Sequence, residues 1–347
     1  KQDMEFDTKI LENNNVMIDD QFIGKINGLK LELDLKKGAL ETDIKSLKKA
    51  ARKTIGPELE KRIQIIIDTG LVELKNDSKM YWHNAIIGKL IPGKDYLSPN
   101  IELLVDDMLE QNQKSKLISF LEKWLKNKIT SVLKSLYDLK DLKDKNSSIK
   151  ALAYQLYENN GVLKRDKVTD YLNKLNQNDR KILRDLGVKF GRYHVFLFRL
   201  IKPEPVSLRT LLWKNYNQKY FNLEPPTFGL NFLNDRKFQN KNFMLLCGFE
   251  KFNNYYIRID ILERLFVQII NSDTKDMREI KMIPEMLNLL GCKKDDFKQL
   301  LKAMSYKILE KDNEVFFKYS PKKRIKLQNK KNVKENPFGV LKNLNFN

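Results

Sequence analysis

Cations and aromatic rings alternate along the segment from Val188 to Trp213. Five of its side chains are candidates for contact with a nucleic-acid strand: Lys189, Arg192, Tyr193, Lys202 and Arg209. No carboxylate occurs between Asp185 and Glu204. Lys and Arg neutralise backbone phosphates, and aromatic rings stack on bases of any sequence. The pattern therefore predicts a strand-binding surface; the alternative is a core crossing whose long basic side chains reach solvent.

The positions of these residues depend on a change of period at Gly187. An amphipathic helix is predicted to end there, because glycine suits a left-handed C-terminal cap. From Val188 to Phe198 the period becomes two, which predicts an extended strand with apolar residues on both faces. Pro203 and Pro205 prevent a helix from continuing through them, so the next helix is predicted to begin near Val206.

The charge of the chain points to an anionic partner. Its 347 residues carry a net charge of +20, which favours nucleic acid or an anionic surface. The tail from Lys318 to Asn347 holds eight Lys and one Arg against one Glu. Within this tail Lys322, Lys323 and Arg324 are predicted to attract phosphates, and a solvated linker is the alternative.

Composition also bears on compartment. The sequence has no apolar run of about 18 residues and no signal-peptide pattern, so we expect no membrane contact. Cys247 and Cys292 lie far apart and suggest neither a disulfide framework nor a metal site. We expect a reducing, cytoplasmic setting. Because the sequence starts at Lys1, we expect it to be a piece of a longer chain.

Motifs of the common catalytic classes are missing from the sequence. The Gly-Lys pairs at Gly24, Gly88 and Gly93 are followed by Ile, Leu and Asp, so none has the Ser or Thr of a phosphate-binding loop. The sequence also has no G-x-S-x-G, H-E-x-x-H or C-x-x-C. His83 and His194 are the only histidines, and neither has a ligand pair beside it. We therefore predict no catalytic residue and no metal site in this chain.

The apolar pattern predicts an α+β fold that is predominantly α-helical. Alternation over 22–35 and three short runs between 71 and 90 predict strands. A helix is predicted between them from Thr42 to about Asp68, with an interruption at Gly56-Pro57. Ser98-Pro99 resembles a helix N-terminus and predicts a helical region after it.

The C-terminal part has a different order of elements. Helices predicted between 258 and 304, followed by a hairpin over 305–319, resemble a winged-helix arrangement. The last helix, from Lys294 to Met304, would take the recognition position. Asp295 and Asp296 offset its lysines, which favours a packing role over direct DNA reading.

These patterns divide the chain into successive parts, whose boundaries follow changes in period and composition. In order they are a polar N-terminal segment (1–20), a small α+β unit (21–97), a helical domain (98–187), a central strand-Pro-helix element (188–225), a winged-helix-like unit of helices plus a hairpin (226–319) and a basic tail (320–347).

The order of three sequence blocks resembles a known family. The blocks are LGVKFGRYHVFLFRLIKPEPVSLRTLLW at 186–213, LCGFEKFNNYYIRIDILERL at 246–265 and PEMLNLLGCKKDDFKQLLKAMSYK at 284–307. They are similar to the C-terminal region of the alphaproteobacterial ATP-dependent superfamily-two helicases related to the mitochondrial Suv-type RNA helicase. Segments at 82–104 and 336–344 fit the same family. Phe198-Arg199 departs from the family pattern, which is apolar and uncharged there.

The resemblance implies an accessory role for the chain. Two motor domains that bind ATP and Mg would precede it in the same polypeptide, so the chain itself would hold no cofactor and would not be an enzyme alone. It would hold or guide single-stranded RNA or DNA for those motors. The alternative is a docking module that packs on the motor domains or on another protein without contacting nucleic acid.

Overall fold

The computed structural model describes residues 7–34, 41–234, 240–272 and 279–320. Helices and small antiparallel sheets alternate along these residues, and more residues lie in helices than in strands. This confirms the predicted α+β class. Within the described ranges, none of the helices combines the length and the apolar character needed to cross a membrane.

Two four-stranded antiparallel meanders form the N-terminal part. The first contains β1 (Thr8–Ile10), β2 (Asn15–Ile18), β3 (Gln21–Asn27) and β4 (Lys30–Leu33). The second contains β5 (Val72–Leu74), β6 (Lys79–Trp82), β7 (Ala85–Ile91) and β8 (Asn100–Leu103). The strands predicted over 22–35 and 71–90 are confirmed. β1 and β2 fall in the segment 1–20, for which only polar character was predicted.

The prediction of a helix directly after Ser98-Pro99 is wrong. That segment is strand β8, which pairs with β7 from Gly88↔Leu103 to Ile91↔Asn100. The run from Ile101 to Val105 is apolar enough to satisfy a helical period as well as a strand period. The unpaired edge of β7 selects the strand, because pairing satisfies backbone groups on both sides.

The two meanders repeat one another in detail. Asn14 and Ser78 adopt positive φ (66° and 63°) in the equivalent first turns. The Ile26 N–H donates to the Asn14 carbonyl in one sheet (2.9 Å), and the Leu90 N–H donates to the Ser78 carbonyl in the other (2.8 Å). The second strand of each sheet carries a register shift at the equivalent position. The N-terminal part is therefore built from one supersecondary unit used twice.

This repeat explains two of the Gly-Lys pairs. Gly24 and Gly88 lie at equivalent positions in β3 and β7, opposite Leu33 and Leu103. A Cβ at Gly24 would overlap the carbonyl oxygen of Glu32 on the neighbouring strand. Glycine therefore permits close strand pairing in this position.

Helix α1 (Glu41–Thr69) connects the two sheets. It continues through Pro57, so the predicted interruption at Gly56-Pro57 is wrong. A proline inside a helix costs about 3 kcal/mol. A buried stripe on both sides of it offsets that cost: Ala51, Ile55, Leu59, Ile63 and Ile66.

Helices predominate in the middle of the chain. They are α2 (Gln111–Val132), α3 (Lys134–Tyr137), α4 (Ser147–Glu158), α5 (Thr169–Asn173) and α6 (Gln177–Asp185), with strand β9 (Val162–Lys164) between α4 and α5. Their buried side chains belong to one hydrophobic cluster that also includes the two meanders and reaches Leu212. The frame beneath the central segment is thus a single packed core.

The central segment is a hairpin rather than the predicted continuous strand. Strands β10 (Val188–Phe190) and β11 (His194–Leu197) pair antiparallel, and β11 also pairs with β9. Helix α7 (Pro203–Tyr216) then begins at Pro203, earlier than the predicted start near Val206. Proline suits the first helical turn because its missing N–H would have no intrahelical partner there.

The C-terminal part contains two further sheets. The first has the order β12-β14-β13 and the second the order β15-β17-β16. The elements are β12 (Phe232–Asn234), α8 (Lys241–Leu246), β13 (Phe249–Phe252), β14 (Tyr255–Arg258), α9 (Ile259–Asn271), β15 (Ile280–Lys281), α10 (Pro284–Leu290), α11 (Lys294–Ala303), β16 (Tyr306–Lys311) and β17 (Glu314–Tyr319). The helices and the hairpin predicted here are confirmed. The hairpin turns at Asp312 and Asn313, both with positive φ, as a tight turn requires.

Asp106 joins the two meanders and generates a stability prediction. Its buried carboxylate accepts the Leu31 N–H of β4 (2.9 Å) and the Met108 N–H (3.1 Å). In Asp106→Asn the NH2 group of the amide would face one of these two backbone N–H groups, which would then lose its acceptor. We therefore expect this substitution to lower the free energy of unfolding by about 1–3 kcal/mol. Urea unfolding at constant pH measures this. The exposed neighbour supplies the control: Asp107→Asn should change the free energy by less than about 0.5 kcal/mol.

Candidate nucleic-acid interface

An open groove of about 870 Å³ lies between the β10–β11 hairpin and helix α9. Its charged and aromatic lining residues are Arg165, Lys189, Arg192, Arg264, Phe190, Phe196, Phe198, Phe266, Asp260 and Glu263. Cations and rings thus line one surface although they come from three separate segments of the chain. Such a lining suits a phosphate backbone with unpaired bases.

The carboxylate of Glu263 holds the turn of the hairpin in place. It accepts backbone N–H groups from Arg192, Tyr193 (2.8 Å) and His194 (2.9 Å). Arg165 donates to the Gly191 carbonyl at 2.8 Å on the same turn. Helix α9 and the segment after β9 therefore determine together where the Arg192 side chain leaves the backbone.

Arg192 is exposed on this turn, and Tyr193 beside it is half-buried. The Arg192 guanidinium carbon lies 5.7 Å from the centre of the Phe266 ring, and the Tyr193 ring meets the same ring edge-on at 5.6 Å. Burial, together with a hydrogen bond to Tyr306, raises the pKa of Tyr193. The tyrosine is therefore a neutral ring, and the arginine is the charged, accessible group.

Three cations surround Phe198 at one end of the groove. The Lys189 Nζ lies 5.1 Å from the ring centre, and the Arg199 Cζ and the Lys202 Nζ each lie 5.9 Å from it. All three side chains are exposed, and none forms a salt bridge with another described residue. Since no carboxylate of the described residues neutralises them, these three cations are available to an external anion.

Arg209 occupies a different environment, so its predicted strand contact does not fit the structure. It is 0% exposed, and burial lowers its pKa. Its guanidinium donates to the carbonyls of Asn160 (2.9 Å), Leu200 (2.9 Å) and Leu246 (3.0 Å). Arg209 therefore joins three segments inside the protein. Spacing alone does not reveal this, because helix α7 is buried on nearly all sides.

The structure brings most of the other predicted residues together. Lys189 and Arg192 line the groove, Tyr193 packs against its Phe266 wall, and Lys202 borders it at Phe198. The predicted tail residues Lys322, Lys323 and Arg324 lie outside the described residues.

Sequence reasoning missed the contribution of helix α9. Glu263 and Arg264 lie away from its buried stripe of Ile261, Leu262, Leu265 and Ile269. Phe266 lies at the edge of that stripe, one turn after Leu262. An aromatic residue at the edge of the apolar face, next to charged residues, is the signal that could have found them.

A buried histidine connects the hairpin to two neighbouring elements. The Nε2 of His194 lies 3.0 Å from a carboxylate oxygen of Glu250 on β13, and its Nδ1 lies 3.6 Å from Glu263. Burial by itself lowers the pKa of His194, but these two carboxylates outweigh burial and raise it. Glu250 also lies 3.2 Å from the Lys164 Nζ. Burial by itself raises the pKa of Glu250, but His194 and Lys164 outweigh it and lower the pKa.

Comparison with known proteins adds no assignment to this geometry. No family model, curated protein or solved structure matches the chain. Among the described residues, no three His, Cys, Asp or Glu side chains form a group that could hold a metal ion.

The close contact between Gly191 and Glu263 allows the effect of a substitution in the hairpin turn to be predicted. A Cβ at Gly191 would overlap the Glu263 carboxylate, so Gly191→Ala should displace it from the turn. We expect a loss of about 1–3 kcal/mol in the free energy of unfolding, measured in urea. Gly56→Ala is the matched control, because its Cβ meets nothing within 4 Å in α1. That change should stabilise the protein by up to about 1 kcal/mol, and an equal loss in both variants would contradict the role of Glu263.

The His194 cluster predicts a pH dependence. Because the folded-state pKa of His194 is raised, its contribution to stability is fully present below the unfolded value of about 6.5 and is lost as pH rises through the folded value. His194→Gln should therefore lower the free energy of unfolding at pH about 6, and this decrease should become smaller as pH rises to about 9. Urea unfolding across this range measures it. His83→Asn, at an exposed histidine, should show no such trend.

Proposed function

We propose that this chain is the nucleic-acid-binding accessory region of an ATP-dependent helicase, and that a single strand of RNA or DNA occupies the groove between the β10–β11 hairpin and α9. The observation that carries this proposal is the pair of Arg192 and Phe266. An exposed guanidinium lies over a half-buried ring on a backbone turn held by several hydrogen bonds.

The carboxylates of the groove support an anionic ligand. Asp260 lies 2.6 Å from the guanidinium of Arg258, and Glu263 accepts the N–H groups of the turn. Both are therefore engaged with groups other than the cations Lys189, Arg192 and Arg264. Phosphates that enter the groove meet cations whose charge is available.

The aromatic residues support an unpaired strand. Phe198 and Phe266 are half-buried, so each ring keeps part of its surface accessible while its position is restrained by packing. Stacking of one base on such a ring contributes about 1–3 kcal/mol and requires no particular sequence. The combination favours binding through backbone and stacking contacts.

The accessory role rests on the family resemblance together with the missing ATP-binding motif. A motor domain moves a strand productively only where another part of the protein holds that strand. The groove supplies cations and rings for this purpose. ATP and Mg would be bound by motor domains in the same polypeptide.

The contacts of the C-terminal elements support a packing role for α11, the helix in the recognition position. The order α9, β15, α10, α11, β16, β17 and the sheet order β15-β17-β16 resemble a winged-helix arrangement. Lys298 of α11 binds Glu310, and Lys281 and Lys311 near the hairpin turn bind Glu314 and Glu279. Lys298 is paired, and Asp295 and Asp296 offset the other lysines of α11, so we propose that this unit does not read a DNA groove with α11.

Docking on the motor domains is a second candidate function. Val267 and Ile270 are 54% and 53% exposed and lie one turn apart on α9 beside the groove. Exposed apolar residues of this kind suit a protein contact. Under this alternative the groove would be covered by protein, and the chain would bind no oligonucleotide.

Binding to single-stranded oligonucleotides tests the proposal. The chain should bind oligo-dT or oligo-U at about 50 mM salt and should weaken steeply as salt rises. Arg192→Gln should weaken binding about threefold to tenfold and reduce the slope of log affinity against log salt by about 0.7. Fluorescence anisotropy across a salt series measures both quantities.

The matched control is Lys126→Gln, a charge removal at an exposed position of α2, which should leave affinity unchanged. Failure of the unmodified chain to bind either oligonucleotide at low salt would reject the strand-binding role and leave docking.

A further inference from the structure

Three depressions adjoin one another on the C-terminal half of the protein. The second, of about 770 Å³, shares Arg165, Arg192 and Phe266 with the groove described above. The third, of about 560 Å³, shares Tyr306 with the second. The depressions therefore form one track that runs from Phe198, past the hairpin turn, to the sheet β15-β17-β16.

We infer that the bound strand continues along this whole track and that its substrate class is a flexible single strand longer than the groove. The inference rests on the proposed function and deepens it. The strand would pass over Arg192 and Phe266, continue past the exposed ring of Tyr319 and end beside the lysines of the third depression.

The second depression repeats the chemistry of the first. Its basic and aromatic lining residues are Lys164, Arg165, Arg192, Lys251, Tyr193, His194, Phe252, Phe266, Tyr306 and Tyr319. Tyr319 is 53% exposed, and its ring is set at 5.4 Å from the Tyr306 ring, edge to face. Of the lining carboxylates, Asp166 is exposed and Glu250 is engaged by His194 and Lys164. An accessible ring with nearby cations again suits an unpaired base and its phosphate.

The third depression ends the track with an excess of cations. Lys298, Lys302 and Lys307 line it together with the carboxylate of Glu310. Lys298 is paired with Glu310. Lys302 and Lys307 are exposed and form no salt bridge with another described residue. Two phosphates of a strand could therefore be neutralised here without breaking an internal ion pair.

The distribution of rings decides between a single strand and a duplex. Phe198, Phe266 and Tyr319 lie along successive parts of the track, and a side-chain ring stacks on a base only where that base is unpaired. A duplex is also stiff over about 150 base pairs, whereas a single strand can bend at each nucleotide to follow the wall at Arg192.

Oligonucleotide length provides the test. The chain is titrated with oligo-dT of about 4 and about 12 nucleotides, and with a duplex of the longer length. The variants are Lys189→Ala in the first depression and Lys302→Ala with Lys307→Ala in the third. The control is Lys126→Ala with Lys128→Ala, which removes the same charge from an exposed face of α2. Thermal unfolding checks that each variant is folded.

We expect the longer single strand to bind at least tenfold more tightly than the shorter one and than the duplex. The double variant in the third depression should weaken the longer strand at least fivefold and reduce its salt slope by about 1.4, since single strands give about 0.7 per phosphate contact. The control pair should not change either quantity.

Two results would overturn the inference while leaving the proposed function standing. The first is that Lys302→Ala with Lys307→Ala leaves the affinity and the salt slope for the longer strand unchanged, although Lys189→Ala lowers that affinity. The second is that the chain binds the duplex as tightly as the single strand of the same length. Absence of binding to every oligonucleotide would instead reject the proposed function itself.

Discussion

The contact between the Glu263 carboxylate and the hairpin turn is the interaction on which the candidate interface depends. One carboxylate receives the N–H groups of Arg192, Tyr193 and His194, and each such charged hydrogen bond contributes about 1.5–3 kcal/mol. The contact has two effects. It holds the backbone from which Arg192 projects, and it engages a negative charge that would otherwise oppose an anionic ligand in the groove.

Segments far apart in the sequence must be positioned to build this interface. The hairpin is attached through β9 and β11 to the large core that includes both N-terminal meanders. Helix α9 belongs to a separate cluster with α10, α11 and the last sheet. His194, between Glu250 and Glu263, connects elements across this boundary. Arg209 joins the large core to helix α8 through the carbonyl of Leu246. The groove is thus held by buried polar contacts as well as by apolar packing.

Pairing distinguishes cations that serve the fold from those available to a ligand. Arg209 and Lys298 are occupied by carbonyls and by a carboxylate, respectively. Lys189 and Lys202 are exposed beside Phe198 and form no salt bridge with the described residues. The net charge of +20 is therefore a weaker guide to function than the positions of the unpaired cations.

The sequence alone determined the α+β class, the C-terminal helices, the turn at Asp312-Asn313 and the grouping of Lys189, Arg192 and Tyr193 on one segment. These features follow from local period and turn chemistry, which act over a few residues. Only the tertiary structure decided that β8 is a strand, that α1 continues through Pro57 and that Arg209 is buried. The reason is that exposure and pairing depend on distant partners: the carboxylate that holds the Arg192 turn lies 71 residues away in the sequence, where no local pattern connects the two.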